Sequence, residues 1–180
     1  MQLTDHFSLE EFTFSATAVR LGIDNTAPPE AVERLKRLAQ MLEAVRAQLE
    51  NKSLRISSGY RNAELNAVVS GAMTEASLRK VMETTAISEV RVICELRLRE
   101  KKVSKSDSGH MRGDCADFTC SAFGSPLLIV RKLERADIRY DQLIEEGAWV
   151  HIASADNPRG DVLNAKFKDG RATYSKGSGG

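Results

Sequence analysis

Two histidines and one aspartate are the residues of this sequence best suited to hold a catalytic metal ion. His110 and Asp117 lie seven positions apart in a run with two glycines, Gly109 and Gly113, and His151 follows much later. Glycines let the backbone turn tightly, so we expect the histidine and the carboxylate of this run to converge. A hydrolytic zinc ion takes about three ligands from His, Asp, Glu or Cys and keeps one position for water. The three residues therefore predict a zinc site with hydrolase geometry.

The remaining histidine and the nearby cysteines have simpler interpretations. His6 stands beside Phe7 in the approach to an N-terminal helix, where we expect a structural role. Cys115 and Cys120 lie near the metal motif, and we expect them to pack in the core rather than bind zinc. A histidine seven residues from an aspartate is common, so a surface loop with a salt bridge is the alternative for that pair taken alone.

A long helix and several short strands must position these residues. After two prolines, apolar residues recur at steps of three and four, which predicts an amphipathic helix over about residues 29–50. Short apolar or β-branched runs predict strands near residues 54–59, 115–120 and 149–152. The expected fold is α+β, with a small antiparallel sheet that carries the zinc ligands on one face and the long helix packed behind it.

Composition limits the classes of protein to consider. The 180 residues are 42% hydrophobic, enough for one domain without disulfides, and three cysteines form a sparse set that we interpret as reduced thiols. The formal charge of +1 gives no global field that would recruit nucleic acid or an anionic membrane. Residues 1–14 contain no basic segment followed by an apolar run, so we expect no signal peptide, and no stretch reaches the roughly 20 apolar residues of a membrane span. We therefore expect a protein that is made in the cytoplasm.

The segment between residues 72 and 108 gives conflicting signals. Residues 74–85 are helix-like, whereas Val90, Val92, Cys94, Leu96 and Leu98 alternate with mostly charged residues, as in a strand. The good helix formers from residue 95 to 100 favour a helix instead, and the pattern leaves both alternatives open. Residues 101–107 are polar and predict a mobile connection, and the tail from residue 176 to 180 is predicted to be unstructured.

Four blocks of residues occur in an order that is typical of one enzyme family. They are Ile56-Ser57-Ser58-Gly59-Tyr60-Arg61, then Glu64-Leu65-Asn66, then the run from Ser108 to Asp117, and then Asp141-Gln142-Leu143-Ile144 with Trp149-Val150-His151. On these blocks the chain resembles the D-Ala-D-Ala carboxypeptidase family of zinc peptidases, including the L-alanyl-D-glutamate endopeptidases of the phage endolysin branch. The resemblance covers residues 1–72 and about 108–170, and it implies a Hedgehog/DD-peptidase-like fold.

The resemblance also implies roles for individual residues. His110, Asp117 and His151 would hold Zn²⁺, and Arg61 would face the substrate carbonyl or carboxylate, where a guanidinium stabilises negative charge. Ser108 would bond the substrate as well. A salt bridge that pins the loop is the alternative for Arg61, and a purely structural role is the alternative for Ser108.

The general base is not fixed by the resemblance. Many relatives have an acidic residue three positions before the last histidine, where this chain has Ala148. Glu146 is our candidate to take a proton from zinc-bound water, and Glu145 is the second choice. A solvated carboxylate near a turn is the alternative for both.

In relatives, only a few residues join the Glu64-Leu65-Asn66 block to the block that begins at Ser108. The resemblance therefore implies one zinc peptidase domain over residues 1–180, with an insertion at about residues 73–107. The insertion ends against Ser108 and His110, so it would cover the substrate groove, bind a protein partner or disturb the zinc loop. Its arginines at 91, 97 and 99 would touch an anionic glycan or form a solvated face.

The predicted function is zinc-dependent hydrolysis of peptide bonds in the stem peptides of bacterial peptidoglycan, of the endolysin or DD-carboxypeptidase type. A phage or prophage lysis gene is the expected setting, since a separate pore would release the enzyme to the cell wall. The alternative is a non-catalytic zinc-binding module whose insertion binds a partner protein. Nucleic acid is not an expected partner of a nearly neutral chain.

Overall fold

The computed structural model describes residues 1–69, 71–168 and 171–178. In these ranges the chain forms seven α-helices, one 3₁₀ helix and six strands. The helices are α1 Leu9–Thr13, α2 Ala16–Leu21, α3 Pro29–Gln48, α4 Ala63–Val68, α5 Glu75–Thr84, α6 Ser88–Arg99 and α7 Pro126–Leu133, with the 3₁₀ helix at Gly109–Arg112. The strands are β1 Arg55–Ser58, β2 Cys115–Thr119, β3 Gln142–Glu145, β4 Val150–Ala153, β5 Asp161–Lys168 and β6 Arg171–Lys176.

The strands form one sheet in the order β1-β2-β4-β3-β5-β6. Every neighbouring pair is antiparallel except β3 and β5. The backbone N–H of Gly160 donates to the carbonyl of Tyr140 at 3.1 Å, so β5 begins beside the start of β3 and runs in the same direction. The expected mixture of helices with a mainly antiparallel sheet is confirmed, and the parallel pair is an addition to it.

The predicted long helix is α3, which packs behind the sheet. Proline at its first position suits the helix start because no N–H is needed there. Leu35, Leu38 and Leu42 are fully buried in a core cluster that includes Phe118 of β2 and Ile152 of β4. Each such side chain contributes about 1.5–3 kcal/mol by leaving water. This core therefore fixes the position of the face of β2 and β4 that packs against α3.

The segment predicted as an insertion, residues 73–107, is mainly helical, which resolves the conflict between its two sequence patterns. Val90 and Cys94, four residues apart, are fully buried, whereas Val92 between them is 52% exposed. Alternation along a strand would have put all three on one face, so the observed burial follows the spacing of a helix. With α5 and α4, helix α6 builds a second apolar cluster that includes Leu65 and Leu78.

The arginines of the insertion do not form one solvated face. The Arg97 side chain is buried and donates to the carbonyls of Ala67 at 3.0 Å and Gly71 at 2.8 Å, which ties α6 to the end of α4. Arg91 donates to the carbonyl of Thr85 at 2.9 Å. Arg97 therefore supports the fold, and it is not placed to meet a glycan.

The two ends of the insertion are joined by hydrogen bonds. The backbone N–H of Ser108 donates to the carbonyl of Ala72 at 2.9 Å. The carboxylate of Asp107 accepts from the Thr74 N–H and from the Ser77 hydroxyl, each at 2.7 Å. Ala72 and Ser108, at the two ends of the predicted insertion, therefore lie next to each other, directly before the 3₁₀ helix. The mobility expected for residues 101–107 stays a prediction.

Two further expectations concern the chain as a whole. No helix in the described ranges has the length and apolar character needed to cross a bilayer. The tail predicted to be unstructured begins at Lys176, which is the last residue of β6, and its final residues 179 and 180 lie outside the described residues.

Candidate metal centre

Neighbouring strands place two of the predicted ligands side by side. Asp117 of β2 pairs directly with His151 of β4, and paired residues project from the same face of a sheet. Ala116 and Phe118 project from the other face into the core. Because the core fixes that face, the two polar side chains must point away from it.

The 3₁₀ helix before β2 supplies the third predicted ligand. Gly113 ends this helix with φ of +81°, a conformation that favours glycine, and the chain then turns into β2. A Cβ on Gly113 would also lie 2.8 Å from the carbonyl oxygen of Ala31 in α3. The turn predicted from the glycines therefore exists, and it places His110 over the strand pair.

The three predicted ligands lie together. His151 Nδ1 is 2.8 Å from Asp117 Oδ1, and His110 Nε2 is 3.4 Å from Asp117 Oδ2. The imidazole rings of the two histidines meet edge to face, with centroids 5.3 Å apart. The carboxylate thus bridges one nitrogen of each histidine.

A backbone carbonyl fixes the orientation of His110. Its Nδ1 lies 2.6 Å from the carbonyl oxygen of Gly59, and because a carbonyl only accepts, Nδ1 carries the proton and Nε2 is directed to Asp117. A Cβ on Gly59 would lie 2.6 Å from the carbonyl oxygen of Phe12, so only glycine fits at this position. The Arg61 N–H donates to the carbonyl of His110 at 3.1 Å, which joins the loop after β1 to the 3₁₀ helix.

Cys115 lies in this cluster, contrary to the expectation that it packs in the apolar core. Its thiol and donor atoms of His110 and His151 all lie within 4.8 Å of one another. Cys120, by comparison, belongs to the main core cluster as expected. Strand alternation was the available signal, since Cys115 is two positions before Asp117 and so shares its face.

Burial and charge together shift the pKa values of this cluster. Burial lowers the pKa of His110, but the charge of Cys115 and the hydrogen bond to Asp117 outweigh it and raise that pKa to about 9. Burial raises the pKa of Cys115, and the two imidazoles outweigh it and bring the value to about 6. The same imidazoles hold the pKa of Asp117 well below its usual range, against the effect of burial. In the metal-free protein, protons on the two histidines therefore balance the negative charges of Asp117 and Cys115. A bound metal cation would supply that positive charge instead.

The donor set fits zinc. Two imidazoles, a carboxylate and a thiol are the ligand types that Zn²⁺ binds in proteins. The Gly59 carbonyl supplies the outer hydrogen bond that metal-binding histidines usually make through their second nitrogen. His6 lies outside this cluster, with Nδ1 2.9 Å from the carboxylate of Glu43.

A cleft of about 790 Å³ opens over the cluster, and His110, Asp117 and His151 line it. Arg61 and Ser108 line the same cleft. The Nε of Arg61 is buried without a hydrogen-bond partner among the described residues. Burial lowers the pKa of Arg61, and the nearby charges of Asp117, Cys115 and Glu146 oppose that shift. The Ser108 hydroxyl accepts from the His110 N–H at 3.3 Å and so also caps the 3₁₀ helix.

The two candidate bases occupy different places. Glu146 lines the cleft, and its Oε2 accepts from the indole N–H of Trp149 at 2.7 Å. Glu145 is not among the residues that line this cleft, and its oxygens accept from the N–H of Gly147 and the side chain of Asn164, both at 2.8 Å. Glu145 is the last residue of β3, and Glu146 follows it directly. Neighbouring residues of an extended chain point to opposite sides, which separates the two carboxylates.

The hairpin of β5 and β6 adds a wall that the sequence analysis did not identify. Leu163, Phe167, Ala172 and Tyr174 line the cleft. Tyr174 is 54% exposed, and burial together with the charges of Glu146 and Asp117 raises its pKa. No local pattern marks these residues, since their place follows from the parallel pairing of β5 with β3.

Comparison with known proteins gives one finding on the family. A family model described as Peptidase M15 matches residues 5–88, just under half of the chain. The matched segment contains Arg61 and ends before the metal cluster. No curated protein matches the chain. Residues 5–88 are thus similar to the M15 peptidases, which are zinc-dependent metallopeptidases, and the cluster around His110 and His151, outside the matched segment, is suited to hold a metal ion.

Proposed function

We propose that this protein is a zinc-dependent peptidase that cleaves stem peptides of bacterial peptidoglycan, of the endolysin or DD-carboxypeptidase type, on a Hedgehog/DD-peptidase-like fold. One observation carries the proposal: Asp117 lies opposite His151 in adjacent strands, with His110 Nε2 directed at the same carboxylate. Bound zinc supplies a Lewis acid for the scissile carbonyl and lowers the pKa of a water molecule to near 7. The cleft above the cluster gives a substrate access to this chemistry.

Arg61 is the residue that would orient the substrate. Arg61 lines the cleft, and its buried Nε has no partner in the described part of the chain. A buried polar group without a partner costs free energy, which a carboxylate or carbonyl of the substrate would recover. Stem peptides carry both groups. Ser108, beside the metal cluster, offers a further hydrogen bond.

Glu146 is the residue that would move the proton. Its hydrogen bond with Trp149 leaves Oε1 for a second partner and fixes the carboxylate at the cleft wall. A carboxylate in that place takes a proton from the attacking water and returns it to the leaving amine. Glu145, with both oxygens bonded on the other side of β3, is poorly placed for this role.

The test uses purified peptidoglycan and outer-membrane-permeabilised cells. We expect turbidity to fall with the wild-type protein, a chelator to stop the loss and zinc to restore it. Glu146→Gln should reduce turnover about 10²-fold or more while zinc still binds, and Glu145→Gln, the matched control, should remain close to wild type. No turbidity loss with any metal would overturn the proposal.

A non-catalytic zinc module with a protein partner on the insertion is the second candidate. Ala148, in the turn between β3 and β4, favours it, because that position carries no acid. Such a module would keep zinc and show no turnover in either the wild type or Glu146→Gln.

For the leading candidate we propose a phage or prophage setting in which the enzyme reaches the cell wall after release from the cytoplasm.

A further inference from the structure

Cys115 has an environment unlike that of a packing cysteine. Its side chain is 1% exposed, yet it belongs to neither apolar cluster, whereas Cys94 and Cys120 each belong to one. The groups around its sulfur include the imidazoles of His110 and His151. A thiol buried among nitrogen donors is placed as a metal ligand would be.

The backbone around Cys115 leaves room for the sulfur at this position. A Cβ on Gly109 would lie 3.1 Å from the Cys115 sulfur, so the absence of a side chain at residue 109 accommodates it. On β4, the residue paired with Cys115 is Ala153, which is also small. The sulfur therefore occupies a space between the 3₁₀ helix and β4 that opens toward the histidines.

We propose that Cys115 is a direct ligand of the metal ion held by His110, Asp117 and His151. The inference rests on the metal site of the proposed function. The donor atoms of Cys115, His110 and His151 lie within 4.8 Å of one another. Zinc bonds are about 2.3 Å to sulfur and 2.0–2.1 Å to nitrogen, so small side-chain rotations would bring all three donors onto one ion. The ion would then have four protein ligands.

A thiolate ligand also changes which metals are preferred. Sulfur is a soft donor, so the site should favour Zn²⁺ and Cd²⁺ over metals that prefer oxygen. Outer hydrogen-bond partners of a metal ligand are worth about 10–100-fold in affinity, so loss of a direct ligand should cost at least that much. The effect should be larger for Cd²⁺ than for Zn²⁺, because Cd²⁺ is the softer ion.

Cobalt spectroscopy tests this without any assay of activity. Titration of the metal-free full chain with Co²⁺ should give ligand-field bands and a sulfur-to-cobalt charge-transfer band in the near ultraviolet. Cys115→Ser, which keeps the size of the side chain, should lose the charge-transfer band, and Cys120→Ala should keep it. Circular dichroism shows whether each variant is folded, and Cys115→Ala serves as a second variant.

The outcomes separate the role of Cys115 from the existence of the metal site. Ligand-field bands without the charge-transfer band in the wild type, or a charge-transfer band that persists in both Cys115 variants, would overturn the role of Cys115 and leave the site of two histidines and an aspartate standing. Failure of the folded wild type to bind Co²⁺, Zn²⁺ or Cd²⁺ would overturn both. A Cd²⁺ affinity unchanged by Cys115→Ser would also count against ligation.

Discussion

His110 Nδ1 and the carbonyl oxygen of Gly59 are 2.6 Å apart, and this contact fixes which nitrogen of the histidine points to Asp117. Gly59→Ala would place a Cβ 2.6 Å from the carbonyl oxygen of Phe12 and so displace the Gly59 carbonyl. We expect zinc affinity to fall about 10–100-fold, as for other outer partners of metal ligands. Competition with a chromophoric chelator measures it. Gly22→Ala, a strained position with open space around it, should lower stability without changing affinity.

Zinc affinity should depend on pH because protons compete with the metal. Burial lowers the pKa of His110 in the metal-free protein, but Cys115 and Asp117 outweigh it and raise that pKa to about 9, so at neutral pH a proton must leave before zinc binds. Affinity should therefore rise with pH from 7 to about 9, by about tenfold per pH unit for each proton displaced. Calorimetry in buffers of different ionisation enthalpy counts the protons released. A zinc affinity that does not change between pH 7 and about 9 would contradict this prediction.

Asp107 should stabilise the insertion through its two hydrogen bonds. Burial raises the pKa of Asp107, but the Thr74 N–H and the Ser77 hydroxyl outweigh it and lower the value below 3.8. The contribution is therefore present above pH 3.8 and is lost as the pH falls through the lower, folded-state pKa. We expect Asp107→Asn to reduce the free energy of unfolding by about 1–2 kcal/mol. Urea denaturation measures it, with the exposed Asp156 changed to Asn as the control.

Arg97 should be more important for stability than its exposed neighbour Arg99. Arg97→Met keeps much of the buried volume but leaves the carbonyls of Ala67 and Gly71 without their donor. We expect a loss of about 2–4 kcal/mol in the free energy of unfolding, because buried acceptors without partners are costly. Arg99→Met should cost less than about 0.5 kcal/mol. Equal effects of the two substitutions would show that the hydrogen bonds of the buried guanidinium do not stabilise the fold.

Tyr174 should affect substrate binding more than the chemical step. It lines the cleft from β6, so Tyr174→Ala should raise KM several-fold with little change in kcat. Steady-state kinetics on a soluble stem peptide separates the two constants. A fall in kcat with unchanged KM would place Tyr174 in the chemistry instead.

The sequence predicted the elements whose signal is local. Helix α3 follows from a regular spacing of apolar residues, and the turn before Asp117 follows from Gly109 and Gly113. The nature of α6 was undecided because alternation and propensity disagreed, and burial of Val90 and Cys94 against α4 and α5 decides it. That contact is tertiary, so no window of sequence contains it.

Long-range features of the site were predicted less well. The place of Cys115 could have been deduced from strand alternation with Asp117, but its distance from the histidines depends on the strand order. Tyr174 reaches the cleft only because β5 pairs in parallel with β3. The orientation of His110 depends on a backbone carbonyl, a group that every residue has and that no sequence pattern marks.

The pairing of Asp117 with His151 has a consequence for how the sheet forms. Sliding β4 past β2 by a single residue would turn one of these side chains toward α3 and the other toward solvent, and the binding site would disappear. A metal ion held by both residues would therefore bind only the correct alignment of two segments that are far apart in the chain. Its binding energy would stabilise that alignment over neighbouring ones, so the cation would favour correct assembly of the sheet as well as take part in the reaction.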